Sequence, residues 1–165
     1  MIVRQTRTED LPEIMKIYDY AKQFMVRTGN PNQWNGSYPE KNIILQDIEK
    51  RVSYVCEENG VVVGTFAFII GEDPTYQFIE NGEWSKRMTY GTIHRLAGNG
   101  KAKGVARVCF DYCKTKQAYL RGDTHEDNKV MQENFMKNGF RRCGIIYLLN
   151  GDPRIAYDYC KEEVR

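Results

Sequence analysis

The chain has 165 residues, a length that fits one domain better than two and allows a packed core without disulfides or a bound metal. Hydrophobic residues make up 41% of the sequence and charged residues 28%, which is typical of a folded globular protein and argues against disorder. The 24 basic residues nearly balance the 22 acidic ones, and a net charge of +2 disfavours broad nucleic-acid binding. We therefore expect a single domain over residues 1–165 with no nucleic-acid partner.

The N-terminal segment and the cysteines indicate the cellular compartment. The chain is charged by its fourth residue, so that no apolar run of signal-peptide length begins it, and no stretch approaches the ~20 apolar residues of a membrane span. The five cysteines lack CxxC spacing, which favours reduced, buried thiols over a disulfide frame or a metal site. These features predict a cytoplasmic protein without a metal site or a membrane partner. The cysteines are Cys56, Cys109, Cys113, Cys143 and Cys160.

The first half of the chain predicts a strand, two helices separated by a loop, and a β-hairpin. Thr8 is expected to cap the first helix, whose apolar residues recur at helical spacing and define a buried face. Gly64, in the second strand of the hairpin, indicates a bulge or a close backbone approach. The strand covers residues 3–6, the loop 29–39, the second helix about 39–50 and the hairpin strands 53–57 and 61–70, and the buried helix face comprises Leu11, Ile14, Met15, Tyr18, Ala21 and Met25.

The second half predicts a long connection followed by alternating strands and helices. The connection spans residues 71–90, and a loop of this length in a small domain is often functional, with a disordered flap as the alternative interpretation. The strand–helix–strand order after it requires a crossover between parallel strands, whereas the hairpin at the end is antiparallel. The expected fold is therefore α/β, with one mixed, mostly antiparallel sheet of about seven strands and helices on both faces. The later strands are predicted at 92–97, 119–123, 140–149 and 154–159, with helices beginning near Val105 and Val130.

A glycine-rich turn joins the strand at 92–97 to the helix that begins near Val105. Unpaired N–H groups and the helix dipole at such a helix start favour an anion. Lys101, Lys103 and Arg107 add positive charge within seven positions, which suits a pyrophosphate. The loop lacks both the Gly-Lys-Ser/Thr of a Walker A motif and the last glycine of a Rossmann motif. A flexible loop with a solvated basic helix start is the alternative interpretation.

Two motifs at the correct separation resemble the GNAT superfamily of acyl-CoA-dependent N-acetyltransferases. Residues 101–106 match the family's phosphate loop Q/R-x-x-G-x-G/A, with lysine in the first position. Asn128, Met131, Phe135 and the pair Gly139-Phe140 fit the offsets of a second family pattern. The opening strand and helix are also similar to those of the family, so the resemblance covers nearly the whole chain.

The resemblance implies acetyl-CoA bound in a wedge where the two parallel strands splay apart. The first of these strands would pair with pantetheine, the start of the next helix would hold the pyrophosphate, and Asn128 would bond the pantetheine arm. Many members carry tyrosine where this chain has Phe135, as the acid for the leaving thiolate, so this role is empty here or is filled by another residue. The implied cofactor-binding residues are Leu96, Ala97, Gly98, Lys101, Lys103, Gly104, Val105, Ala106, Arg107, Asn128, Met131 and Phe135.

Acetyl transfer to an amine needs a base that removes a proton from the amine. His94 is the leading candidate, because the pKa range of histidine suits proton transfer near neutral pH and because family members that use histidine on this strand carry it at the matching offset. Asp123 is a second candidate, either as the base or as an orienting group. For His94, the alternative interpretation is a structural histidine held only by packing and one hydrogen bond. Strand alternation predicts that one face of the strand carries Tyr90, Thr92, His94 and Leu96. Further candidates for acid–base chemistry are His125, Glu72 and Glu83, and Tyr147 is a candidate for the missing acid.

Aromatic residues in the two long loops predict an acceptor pocket. Trp34 and Tyr38 in the first loop and Trp84 in the second would contact a hydrophobic or cationic amine, although they would equally well pack the loops down. The predicted reaction is acetyl transfer from acetyl-CoA to a small-molecule amine, a protein N-terminus or a lysine, by direct attack in a ternary complex. A non-catalytic acyl-CoA sensor with the same fold is the alternative, and Phe135 favours it. Edge strands near the C-terminus would allow a homodimer.

Overall fold

Seven strands form one mixed sheet in the computed structural model, which describes residues 1–162. Four α-helices of the described residues pack on the two faces of this sheet, and the elements follow the predicted order. The strand order is β1-β2-β3-β4-β5-β7-β6. The elements are β1 (Ile2–Gln5), α1 (Leu11–Arg27), α2 (Lys41–Glu49), β2 (Ser53–Glu58), β3 (Val61–Ile70), β4 (Gly91–Gly98), α3 (Val105–Lys116), β5 (Tyr119–Thr124), α4 (Lys129–Lys137), β6 (Arg141–Tyr147) and β7 (Pro153–Cys160).

The central pair of strands, β4 and β5, is parallel, and the neighbouring pairs are antiparallel. Only Gly91 with Leu120 and Thr92 with Arg121 are in register between them, at the beginning of both strands. Beyond these two pairs the strands have no register, so they diverge toward their carboxyl ends. The predicted mixed sheet and its splayed parallel pair are therefore confirmed.

A bulge in β4 changes which of its side chains share a face. Thr65 pairs with Ala97 and Ala67 pairs with His94, so that β4 has one more residue than β3 in this interval. Arg95 has a φ of +54°, in the left-handed region. Paired residues point to the same side of a sheet, so His94 and Ala97 share one face and Leu96 lies on the other. The prediction that His94 and Leu96 share a face is therefore wrong, and the bulge is the reason.

The helices bury the two faces of the sheet separately. The helix α1 covers one face through buried residues at the predicted helical spacing. Ile17 is buried in addition to the predicted residues, whereas Met15 and Met25 are only partly buried. On the other face, α3 packs through Cys109, Phe110 and Cys113. Burial raises the pKa of the Cys109 thiol well above its usual range, which suits packing residues. The buried positions of α1 are Leu11, Ile14, Ile17, Tyr18 and Ala21.

The start of α1 differs from the prediction. Thr8 begins a 3-10 turn, Thr8–Asp10, and its side chain caps nothing. The carboxylate of Asp10 instead accepts a hydrogen bond from the N–H of Arg7 at 2.7 Å and binds the Arg4 guanidinium at 2.8 Å. An acidic side chain in the first turn therefore stabilises the helix start, as the helix dipole favours.

The long connection, residues 71–90, is an ordered cover over β5, β7 and β6. Tyr76 within it is almost fully buried, and Ser85 binds the carboxylate of Asp158 on β7 through its N–H at 2.7 Å and its hydroxyl at 2.9 Å. Glu80 forms a β-bridge with Ile145. These contacts fix the segment against the sheet face that carries His94. In residues 1–162 no helix has both the length and the apolar character needed to cross a bilayer.

Candidate active site

A groove of about 830 Å³ lies at the start of α3, between that helix, α1, β4 and α4. Most of the implied cofactor residues line it, whereas Lys101 and Lys103 are exposed beside it and Phe135 lies deeper. The structure therefore brings together the end of β4 and the starts of α3 and α4, which carry the implied cofactor residues. The predicted cofactor residues along the groove are Leu96, Ala97, Gly98, Gly104, Val105, Ala106, Arg107, Asn128 and Met131.

The first turn of α3 presents donors for an anion. Gly104 precedes the helix with a φ of +84°, a left-handed conformation that favours glycine, and a Cβ there would meet no atom within 4 Å. The N–H groups of Val105, Ala106 and Arg107 have no partner among the described residues, as expected at a helix start. The open space and the free donors fit a phosphate of acetyl-CoA.

Close packing fixes the position of this helix start on the sheet. A Cβ at Gly64 would lie 2.5 Å from Cγ1 of Val105 and 3.3 Å from the carbonyl oxygen of Ala97. Only glycine allows Val105 to approach β3 so closely, which confirms the prediction of a close approach at Gly64. The pairing of β3 with β2 is also irregular at this point, because their register shifts between Cys56 and Glu57.

A second cavity of about 600 Å³ continues from the groove at the point where β4 and β5 diverge. The residues common to both cavities are Met25, Leu96, Asn128 and Met131. The second cavity is lined by both catalytic candidates, His94 and Asp123, and by Trp34 and Tyr38 of the predicted acceptor pocket. A thioester that reaches past Leu96 and Asn128 would therefore enter a space that holds titratable and aromatic side chains.

His94 is held by a carboxylate from the long connection. Its Nε2 lies 3.0 Å from Oδ2 of Asp73, whose Oδ1 accepts from the N–H of Thr75 at 2.9 Å. Burial acts to raise the pKa of Asp73, but the hydrogen bonds from His94 and Thr75 outweigh it and hold the pKa at about 2. Asp73 is therefore ionised at neutral pH and accepts a hydrogen bond from Nε2–H, so that Nδ1 of a neutral ring keeps its lone pair.

Asp123 on β5 has a different environment. Its Oδ2 accepts a hydrogen bond of 2.5 Å from the hydroxyl of Tyr76. Burial raises the pKa of Asp123 above its ordinary value, although His94, Tyr76 and Arg154 act in the opposite direction. Asp73 and Asp123 thus line the same cavity with pKa values shifted in opposite directions, a pattern that is typical of catalytic sites.

Asn128 has a structural role at the start of α4. Its Oδ1 caps α4 by accepting from the N–H of Met131 at 3.0 Å, and its amide donates to Oε1 of Gln33 at 2.8 Å. The same Gln33 oxygen accepts from Asn30 at 2.9 Å. The loop between α1 and α2 is therefore tied to the start of α4, and Asn128 lines both cavities from this fixed position.

Phe135 lies in an aromatic cluster beneath the second cavity. It is 2% exposed, and its ring stacks on Tyr157 with a centroid distance of 4.6 Å and packs against Phe110 at 5.4 Å. A Cβ at Gly122 would lie 2.9 Å from its ring. Phe135 thus fills the floor of the wedge, and it brings no hydroxyl to the site.

Trp84 does not belong to the acceptor pocket. Its ring packs on Tyr76 and lies over the guanidinium of Arg121 at 4.2 Å, and its indole N–H donates to the Tyr76 carbonyl at 2.9 Å. The prediction for Trp84 is wrong, because the long connection folds against β5 and β7 and turns this side chain away from the wedge. The remaining minor candidates, Glu72, Glu83, His125 and Tyr147, also line neither cavity.

Sequence reasoning missed residues that reach the site from distant segments. The residues Asp73-Pro74-Thr75 indicate a turn, but no local pattern predicts that the Asp73 carboxylate contacts His94, because the two residues are 21 positions apart. Gln33 and Arg154 also line the second cavity, and no local pattern distinguishes them.

No protein-family model matches the chain, and no curated protein matches it significantly. Solved structures do match. A GNAT-family acetyltransferase from Streptococcus agalactiae superposes with a TM-score of 0.90 at 29% identity, covering 98% of this chain and 96% of that chain. The chain therefore has the fold of GNAT-family acetyltransferases.

Other GNAT-fold neighbours agree. An acetyltransferase described as putative, from Staphylococcus aureus, matches with a TM-score of 0.69 at 24% identity, over 97% of this chain and 99% of that chain. A structure from Salmonella typhimurium, described as a putative acetyltransferase with its cofactor acetyl-CoA, matches with a TM-score of 0.59 at 17% identity, over 100% of this chain and 96% of that chain. These two structures support the fold, and the neighbour from Streptococcus agalactiae supports acetyl transfer as the general kind of reaction.

Proposed function

We propose that this GNAT-fold protein transfers an acetyl group from acetyl-CoA to a primary amine by direct attack in a ternary complex. The observation that carries the proposal is the continuity of the two cavities. The groove begins at the free N–H groups of α3, and the second cavity ends at the pair formed by His94 and Asp73. An acetyl-CoA substrate bound by its phosphates at α3 would present its thioester where β4 and β5 diverge.

His94 is the proposed general base. Asp73 accepts from Nε2, so Nδ1 of the neutral ring takes a proton from the ammonium group of the acceptor. The amine lone pair then attacks the thioester carbonyl carbon, the new C–N bond forms, and the C–S bond breaks. The second proton that the nitrogen loses as it becomes an amide passes to the departing thiolate, directly or through water. The products are the acetylated amine and CoA. An ordinary thiol has a pKa of about 8.5, so its thiolate leaves readily near neutral pH, and Phe135 need not be replaced by an acid.

Tyr38 and Trp34 are the proposed acceptor contacts. Trp34 packs edge-on against Tyr18 at 5.6 Å and against Tyr38 at 6.3 Å, so both rings are held in place at the wall of the second cavity. Rigid aromatic walls favour a cationic or apolar amine through cation–π attraction and apolar contact. The acceptor class remains a small-molecule amine, a protein N-terminus or a lysine.

A thiol-release assay with acetyl-CoA and a panel of primary amines tests the proposal. We expect turnover with at least one amine class and CoA-dependent thermal stabilisation. His94→Gln should lower kcat by about 10²- to 10⁴-fold while the affinity for CoA is retained, because the base contributes to the chemical step and not to phosphate binding. CoA binding without turnover across the panel would contradict an enzyme and favour the acyl-CoA sensor.

The chain offers a matched control in its second histidine. His125 accepts a hydrogen bond from the N–H of Asp127 at 3.0 Å and lines neither cavity. His125→Gln removes the same ring outside the site, so kcat should stay close to that of the wild type. Equal losses in the two variants would assign the effect to folding and would remove His94 from the mechanism.

A further inference from the structure

A buried arginine without a carboxylate partner lines the second cavity. Arg154, near the start of β7, is 5% exposed, and its guanidinium donates to the carbonyl oxygens of Pro153 at 2.8 Å and Gln33 at 3.1 Å. These bonds use two of its five N–H donors. Among the described residues, no carboxylate oxygen lies within 4.0 Å of this group. The hydrogen-bond partners of this buried cation are therefore neutral carbonyl groups alone.

Two other arginines of the sheet, the half-buried Arg95 and the buried Arg121, show how this protein compensates a guanidinium shielded from water. Arg95 forms an ion pair with Asp47 at 2.7 Å. Arg121 lies between the rings of Trp84 and Tyr90, with its guanidinium carbon 4.2 Å and 4.0 Å from their centroids. Arg154 has neither kind of partner among the described residues, and unlike Arg121 it borders a cavity. A buried charge without compensation destabilises a fold, so a ligand that supplies the missing anion is favoured.

The charges around Arg154 do not neutralise it. Burial lowers the pKa of Arg154, and the nearby carboxylates of Asp123 and Asp152 act in the opposite direction without forming an ion pair. Asp123 is engaged by the Tyr76 hydroxyl, and Asp152 accepts from the amide of Asn150 at 3.2 Å. Both carboxylates therefore have other partners.

The β5–β7 register places Arg154 beside the proposed reaction centre. Asp123 pairs with Ala156, and Arg154 lies two positions earlier on the same strand, so Arg154 and Asp123 share one face of neighbouring strands. Diagonal neighbours of this kind have side chains about 7–8 Å apart at their base. His94 shares this face, because Thr92, two positions earlier, pairs with Arg121. Arg154 and His94 thus lie on the face that carries Asp123, and all three residues line the second cavity.

Resting on the proposed function, we infer that the acceptor is a primary amine that also carries a carboxylate, as amino acids do, and that Arg154 binds this carboxylate. The amine end lies toward His94 and Asp123, where the attack on the thioester takes place. A planar guanidinium matches a carboxylate through two parallel hydrogen bonds. Three carboxylates, of Asp73, Asp123 and Asp152, line the same cavity and repel a dianionic phosphate more strongly than a monoanion.

The test compares amines that differ in the carboxylate alone. The panel contains the standard amino acids, their α-carboxamides, the corresponding amines without the carboxylate, and O-phosphoethanolamine as the phosphate probe. We expect the wild type to prefer the carboxylate members by at least about 10-fold in kcat/KM. Arg154→Gln should lower kcat/KM for these substrates by about 10- to 100-fold and leave the carboxamides nearly unchanged, while Arg154→Lys should retain part of the preference.

Arg142→Gln is the matched control, since Arg142 is exposed on the neighbouring strand and lines neither cavity. Equal losses of Arg154→Gln on carboxylates and carboxamides would overturn the inference, because Arg154 would then act only by holding the Gln33 carbonyl. A wild type without carboxylate preference, or one that prefers the phosphate probe, would overturn it as well.

Thermal shifts distinguish a failure of this inference from a failure of the proposed acetyltransferase function. If the wild type acetylates no member of the panel, thermal shifts with the same compounds in the presence of CoA test Arg154 independently of turnover. Stabilisation by the carboxylate members that Arg154→Gln abolishes would support carboxylate recognition. Equal shifts in the wild type and the variant, or no shift with any carboxylate, would overturn it.

Discussion

Replacing Asp73 with asparagine tests whether the imidazole of His94 is oriented for proton transfer. The amide oxygen of asparagine can keep the hydrogen bonds that Oδ1 accepts from the N–H of Thr75 at 2.9 Å and from its hydroxyl at 2.7 Å. The amide nitrogen, however, presents a donor to Nε2 of His94. A neutral ring can meet this donor only by accepting on Nε2, which moves the ring proton to Nδ1 and removes the lone pair that the mechanism requires.

The structure predicts that Asp73→Asn has a small effect on the free energy of unfolding and a large effect on kcat. Although burial acts to raise the pKa of Asp73, hydrogen bonds from His94 and Thr75 hold it at about 2 against an ordinary 3.8, a difference worth about 2 kcal/mol. The Thr75 contacts survive and the Asp73 side chain is 19% exposed, so we expect Asp73→Asn to lower the free energy of unfolding by only about 1 kcal/mol. Turnover should fall by about 10²- to 10⁴-fold, because the ring has the wrong tautomer.

Three measurements separate these effects: urea unfolding, kcat from thiol release, and the affinity for CoA. The pKa of Asp73 is lowered by folding, so its stabilisation is complete above about pH 4 and is lost as the pH falls from about 4 to 2. The difference in unfolding free energy between wild type and Asp73→Asn should shrink over the same interval. Asp19→Asn, on the exposed face of α1, is the control for loss of one charge. An unchanged kcat in Asp73→Asn would refute the orientation of His94 by this carboxylate.

Further variants test the groove and the rest of the site. Gly104→Ala should cost about 1 kcal/mol of unfolding free energy because of the left-handed φ of +84°, and its methyl group should lower CoA affinity at least about 10-fold in calorimetry; unaltered affinity would contradict an anion site at α3. Tyr76→Phe removes a hydrogen bond that lowers the pKa of Asp123, which burial already raises, so the acid limb of kcat/KM should move to higher pH, and an unchanged profile would argue against ionised Asp123 in the reaction. Phe135→Tyr places a hydroxyl in a buried aromatic cluster and should lower the unfolding free energy by about 1–3 kcal/mol without raising kcat, whereas a higher kcat would show that protonation of the thiolate limits the rate.

Local patterns in the sequence predict the elements of this fold well. The helix that begins at Val105 and its glycine-rich approach are both present, because a helix start depends on residues a few positions apart. Alternation along β4 fails at Arg95, since a bulge is stabilised by the register with β3 and leaves no signal in the strand itself. Trp84 fails for a related reason: its guanidinium partner, Arg121, lies on a different strand and is brought to it only by folding.

The sequence by itself determines the order of elements, the mixed sheet with one parallel pair, and the basic glycine loop at α3, because hydrophobic period, turn residues and helix starts act over short distances along the chain. Tertiary structure decides what His94 touches. Asp73 reaches it from the long connection, Asp123 and Arg154 approach on separate strands, and Gln33 closes the cavity from the loop after α1. These contacts depend on strand register and on the packing of loops against the sheet, and both are set by the whole chain.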